Sequence, residues 1–138
     1  MTIAYKFEKL EVWQLALQYV DLIYEIAEQL PKREEYNLGS QIRRAATSVA
    51  LNIAEGSTGQ SDPEQARFLG YALRSVIETV ACQHLIRRRP YQVESGLLEN
   101  AYDSSEILSE KLQAMRRAVT PAGDRVREED PGYLELSL

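Results

Sequence analysis

A chain of 138 residues is long enough to bury one core without disulfides or metals, and its single cysteine, Cys82, excludes an intramolecular disulfide and fits a reducing compartment. Hydrophobic residues make up 44% and charged residues 27%, a globular balance with slightly more charge than usual, as solvated helix faces require. The net charge is −5. Residues 120–138 set Asp124, Glu128, Glu129, Asp130 and Glu135 against Arg125 and Arg127, so they hold −3 and residues 1–119 only −2. A dedicated nucleic-acid binder usually has a basic balance, so this charge argues against that role while leaving room for a local basic patch.

The start of the chain, Met-Thr-Ile-Ala-Tyr-Lys, lacks a basic-then-apolar signal pattern, and no apolar run approaches the roughly 20 residues of a membrane span. The expected location is the cytoplasm, with no membrane partner. Four helical patterns then follow. The first, over 9–30, places Leu10, Trp13, Leu17, Val20, Tyr24 and Ala27 at three- and four-residue spacing, and Pro31 ends it. The second runs from about 37 to 55, with Gly56 expected as a left-handed stop and a flexible loop over 57–61.

Asp62-Pro63-Glu64-Gln65 predicts a helix start in which Asp62 caps, Pro63 takes the first helical position and Gln65 closes a capping box. The third helix carries Phe68, Leu69, Ala72, Leu73, Val76, Ile77, Val80 and Leu85, and ends at Arg89 before Pro90. The fourth, 94–119, repeats Leu98, Ala101, Ser105, Leu108, Leu112, Met115 and Val119. The expectation is an all-α, antiparallel up-down-up-down four-helix bundle over 1–119, followed by an acidic, Gly- and Pro-containing flexible tail over 120–138.

No catalytic constellation emerges. His84 is the only histidine, and Cys82 lies about 200° from it on a helix, so the two cannot share a metal. The Glu-x-x-His pairs of di-iron bundles are missing, and Gly56-Ser-Thr-Gly59 lacks the Gly-Lys-Ser/Thr and preceding strand of a phosphate loop. No catalytic residue, metal or cofactor is predicted, and a non-enzymatic role is expected.

The second helix has the least ordinary composition. Leu38, Ile42, Ala45, Val49 and Ile53, flanked by Ala46 and Ala50, form a core face of small side chains that admits a close neighbour. Gln41, Arg44, Ser48, Asn52 and Glu55 form an adjoining polar stripe. Such a stripe reads better as a hydrogen-bond ladder to neighbouring helices or another subunit than as a ligand or nucleic-acid groove. Leu51 points away from the core face, beside Arg43, Thr47 and Ala54, and hints at a subunit contact.

Leu10-Glu-Val-Trp-Gln14, Gln41-Ile-Arg-Arg-Ala45, Ser48-Val49, Asn52-Ile-Ala-Glu-Gly56, Phe68-Leu69 and Ser75-x-x-Glu78 together resemble the four-helix-bundle family encoded by intervening sequences in bacterial 23S rRNA genes. That family includes the accessory variability proteins of diversity-generating retroelements. The resemblance covers about 7–91 and implies a ring-shaped homopentamer. In the retroelement branch, it implies basic surfaces that engage a reverse transcriptase and nucleic acid. Two positions and one stretch depart from the family pattern: Arg74 stands for a glycine, Thr79 for a leucine, and Arg87-Arg88-Arg89-Pro90 for a more apolar turn. The functional expectation is therefore an oligomeric scaffold or interaction protein. The alternative is a nucleic-acid-binding accessory protein acting through Arg87, Arg88 and Arg89, with Arg116 and Arg117 forming a separate patch.

Overall fold

In a computed structural model, described here for residues 4–59 and 61–120, four helices enclose one core. They are α1 (Glu11–Glu28), α2 (Ser40–Glu55), α3 (Asp62–Arg87) and α4 (Ser95–Ala118). The tail expected from 120 onward lies outside the described residues except for Thr120. Among those residues no helix is long and apolar enough to cross a membrane.

Each helix packs on two neighbours, in the cyclic order α1, α2, α3, α4. The side-chain links between them fix direction. Gln41 and Ser48 of α2 meet Glu78 and Ser75 of α3, so residue numbers rise on one helix as they fall on the other. Glu11 at the start of α1 pairs with Lys111 near the end of α4, and the Gln29 side chain just beyond α1 accepts from the Glu94 amide before α4. The Arg116 guanidinium lies over Gly70, whereas His84 meets Tyr102 edge-on. These three pairs are antiparallel neighbours, and α2 must then oppose α1.

The core face of α2 is the expected one: Ile42, Ala45, Ala46, Val49, Ala50 and Ile53 are all buried. The seam of α4 also stands, with Leu98, Ala101, Ser105, Leu108 and Leu112 buried. On α1 the expected stripe is only the edge of the core face: Ala27 is buried and Leu10, Trp13 and Val20 pack against the core, but its centre lies elsewhere. The buried residues are Val12, Ala16, Tyr19, Ile23, Ile26 and Ala27, while Leu17 and Tyr24 are each 39% exposed. α1 is apolar around more than half its circumference, so two stripes satisfy the same spacing, and only the neighbours decide which turns inward. On α3, Ile77 and Leu85 likewise face outward, while Thr79, Gln83 and Ile86 are buried.

Three local expectations also change. Gly56 is not left-handed, since its φ is −69°; among the described residues Gly59 alone has positive φ, at 87°. Gly56 is required by space instead: a Cβ there would stand 2.9 Å from the Phe68 Cβ of α3. At the start of α3 the N-cap is Ser61, which makes no side-chain capping bond, and Pro63 is the second helical residue. Ahead of α2 the chain makes a short 3-10 turn, Lys32–Glu34, and a π turn, Glu35–Gly39, before the α-helix begins.

Candidate functional site

The polar stripe of α2 divides when placed against its neighbours. Gln41 Nε2 donates to Glu78 Oε2 of α3 at 3.0 Å, and Ser75 Oγ of α3 donates to Ser48 Oγ at 3.0 Å. Asn52 Nδ2 donates back one turn to the Ser48 carbonyl, 2.9 Å, and to Ser48 Oγ, 3.1 Å. Gln41, Ser48 and Asn52 thus form a ladder along the α2–α3 seam, and both ends of the Ser75-x-x-Glu78 motif take part. Arg44 and Glu55 do not join it. Arg44 bonds Ser40 Oγ of its own helix at 3.4 Å, and Glu55 contributes its backbone carbonyl, which accepts from Thr58.

A second polar group lies in the core, where the sequence suggested only packing. Thr79 Oγ1 donates to the Val76 carbonyl at 2.5 Å, so the 2.6 Å contact with Tyr19 is donated by the tyrosine hydroxyl. Gln83 Nε2 in turn donates to Tyr19 Oη at 2.9 Å. Amide, phenol and hydroxyl form one directed chain from α3 through α1 and back, and each bond polarises the next. Burial pushes the Tyr19 phenol up to about 12, against the bonds to Thr79 and Gln83, which lower it. Gln83 Oε1 is left without a partner. The available signal was Thr79 and Gln83 at i, i+4 in line with Val76; nothing in the sequence paired them with Tyr19.

A third group ties the two links at one end of the bundle. Glu34 Oε2 accepts from the Tyr91 hydroxyl at 2.6 Å, and its Oε1 accepts from Asn37 Nδ2 at 2.9 Å. The Arg33 guanidinium lies 5.2 Å from the centre of the Tyr91 ring. The bonds from Tyr91 and then Asn37 hold the Glu34 carboxyl below its ordinary 4.5. A depressed folded pKa contributes stability above 4.5 that is lost as pH falls through the folded value. Tyr91→Phe should therefore lower the urea midpoint at about pH 7, and its gap from the wild type should narrow as the medium is acidified below 4.5.

Arg87, Arg88 and Arg89 are all exposed at the C-terminal end of α3. Through Tyr91 the structure adds Lys32 and Arg33 from the α1–α2 link, so five cations gather at one end. Arg116, over Gly70, lies roughly 27 Å away along α3, so its patch is separate, as expected. Arg74 is exposed, 6.0 Å from the ring centre of Tyr71 on its own helix. Cys82 is buried, and burial, then Glu78, raises its thiol pKa, which is opposite to what a nucleophile needs. Among the described residues no group of three or more His, Cys, Asp or Glu could hold a metal.

The fold and these seams define an all-α four-helix bundle held together by polar ladders as well as apolar packing. The chain belongs to the 23S rRNA-intervening sequence protein family, whose model matches residues 8–118. It is similar in fold to a crystal structure of a protein of unknown function from the S23 ribosomal protein family of Bacteroides thetaiotaomicron. The TM-score is 0.69 at 24% identity, over 76% of this chain and 97% of that one. No curated protein matches it.

Proposed function

We propose that this protein is a non-enzymatic, oligomeric interaction protein whose work is done by its outer helical surfaces. The observation that supports this is the amount of apolar surface left outside a closed core. Leu17 and Tyr24 on α1, Leu51 (61% exposed) on α2, Ile77 and Leu85 (49%) on α3 and Ile107 (50%) on α4 all face solvent in the isolated protomer. Single exposed residues of this kind are common, but those that share one helix face, as Leu17 and Tyr24 do on α1, support an interaction surface there. The assembly proposed is a ring of five copies, a reading supported by the family resemblance. Light scattering at micromolar concentration should give about five times the 15.7 kDa protomer mass. A monomer mass would end the proposal.

The cluster of Lys32, Arg33, Arg87, Arg88 and Arg89 favours a second reading, binding of nucleic acid at that end of the bundle. It requires an affinity for RNA or DNA that falls steeply with salt and is lost on replacing Arg87, Arg88 and Arg89 with serine. No gel shift at low salt would exclude it.

A further inference from the structure

The charge on α1 is one-sided. The helix carries Glu11, Asp21, Glu25 and Glu28 and no lysine or arginine. Glu11 pairs with Lys111, but Asp21, Glu25 and Glu28 have no ion-pair partner among the described residues. Their i, i+4 and i+3 spacing sets like charges side by side, at the end of the helix where the macrodipole is already negative. Both effects disfavour the isolated helix. The same outer face exposes Leu17 and Tyr24, and Val20 and Tyr24 line a shallow open groove together with the three acids. Leu51 extends this surface on α2, one turn beyond Thr47, whose hydroxyl receives the Tyr24 phenol.

The complementary surface is on α3. Leu85 and Ile77 face outward there, and Arg88 and Arg89 follow at its end, without an ion-pair partner among the described residues. The outer face of α4 carries Glu99, Asp103, Glu106 and Glu110, so it would repel α1 rather than pair with it. On α2, Arg43 and Arg44 turn onto the Glu35 carbonyl and Ser40.

Position strengthens the match. Since α1 and α3 each pack on α2 and α4, they occupy opposite corners of the bundle, and both run the same way. The Tyr19 hydroxyl reaching Thr79 and Gln83 sets residue 19 at about the height of residue 81. At equal rise per residue, Glu25 and Glu28 stand level with about 87–90, and Tyr24 level with about 86, beside Leu85. Rotation about an axis parallel to the helices preserves height. It would therefore bring the acidic end of α1 in one copy onto the basic end of α3 in the next, and the apolar residues onto each other.

We infer that copies of this chain associate head to tail, the outer face of α1 (Leu17, Asp21, Tyr24, Glu25, Glu28) meeting the outer face of α3 (Ile77, Leu85, Arg88, Arg89) of a second copy. This rests on the self-association proposed above. The contact is heterologous, the kind that generates a ring when the rotation closes. It also occupies two of the arginines that nucleic acid would need.

The test is a charge swap read by sedimentation or light scattering at about 0.05 M and about 0.5 M salt. Glu25→Lys/Glu28→Lys and Arg88→Glu/Arg89→Glu should each reduce the assembly toward the 15.7 kDa protomer at the lower salt, with helical circular dichroism retained. Combining all four substitutions in one chain should restore the wild-type mass, because every contact again pairs opposite charges. If lysines unfold α1, Glu25→Gln/Glu28→Gln removes charge without changing shape and should still lower the mass. Wild-type mass in either reversed variant, or failure of the combined variant to recover it, overturns the assigned faces and leaves self-association standing. A monomeric wild type overturns both.

Discussion

Gly56→Ala is expected to lower the unfolding free energy by about 2–3 kcal/mol, or roughly 8 °C in thermal midpoint for a domain of this size. The new Cβ would lie 2.9 Å from the Phe68 Cβ and 3.3 Å from the Asn52 carbonyl oxygen. Neither is the free end of a flexible side chain. Relief requires α2 and α3 to separate, and their seam also carries the Ser48–Ser75 and Gln41–Glu78 bonds. Gly96→Ala gives the contrast. Nothing lies within 4 Å of a Cβ at Gly96, inside the first turn of α4, so alanine there should stabilise by up to about 1 kcal/mol through helix propensity. Equal effects at the two glycines, measured by thermal or urea unfolding, would contradict the close approach at Gly56.

Tyr19→Phe is expected to cost about 2 kcal/mol at neutral pH, although phenylalanine fills nearly the same volume. It removes the middle of a fully buried chain, leaving the Gln83 amide without its acceptor and Thr79 Oγ1 without its donor. The same loss should shrink when the partners are also made apolar. In Tyr19→Phe/Thr79→Val/Gln83→Met no polar group is stranded, and the orphan Gln83 Oε1 also disappears.

Alkali supplies an independent readout of the same tyrosine. The folded phenol titrates at about 12 against an ordinary 10.0, so between these values the folded state holds a proton that the unfolded chain has lost. Stability should therefore fall as pH rises from 10 toward 12, by on the order of 2 kcal/mol from Tyr19. The phenylalanine variant should lack that portion of the slope. An unchanged alkaline limb in Tyr19→Phe would show that the hydroxyl is hydrated rather than sealed in the core.

The four helices were legible because each has a local cause. Pro31 and Pro90 bound helices that cannot continue through them, and the seams of α2 and α4 repeat one apolar stripe against clearly polar flanks. The ladder partners Ser75 and Glu78 stood out as a motif, although their meeting with Ser48 and Gln41 depended on the register of α2 against α3. On α1 the spacing located the edge of the core face rather than its centre, for a physical reason. With Trp13, Leu17, Val20 and Tyr24 on one side and Val12, Ala16, Tyr19 and Ile23 on another, spacing alone supports either face.

By itself, then, the sequence determined the elements: four helices, their approximate extents and one small-residue core face, all set by interactions within a few residues. The tertiary structure decided which face of α1 is core, why Gly56 must be glycine, and that Tyr19, Thr79 and Gln83 share a hydrogen-bond chain. It also brought Lys32 and Arg33 to Arg87–Arg89 and left Asp21, Glu25 and Glu28 of α1 without an ion-pair partner among the described residues. Those features depend on contacts between residues up to 64 positions apart, which helical periodicity does not encode.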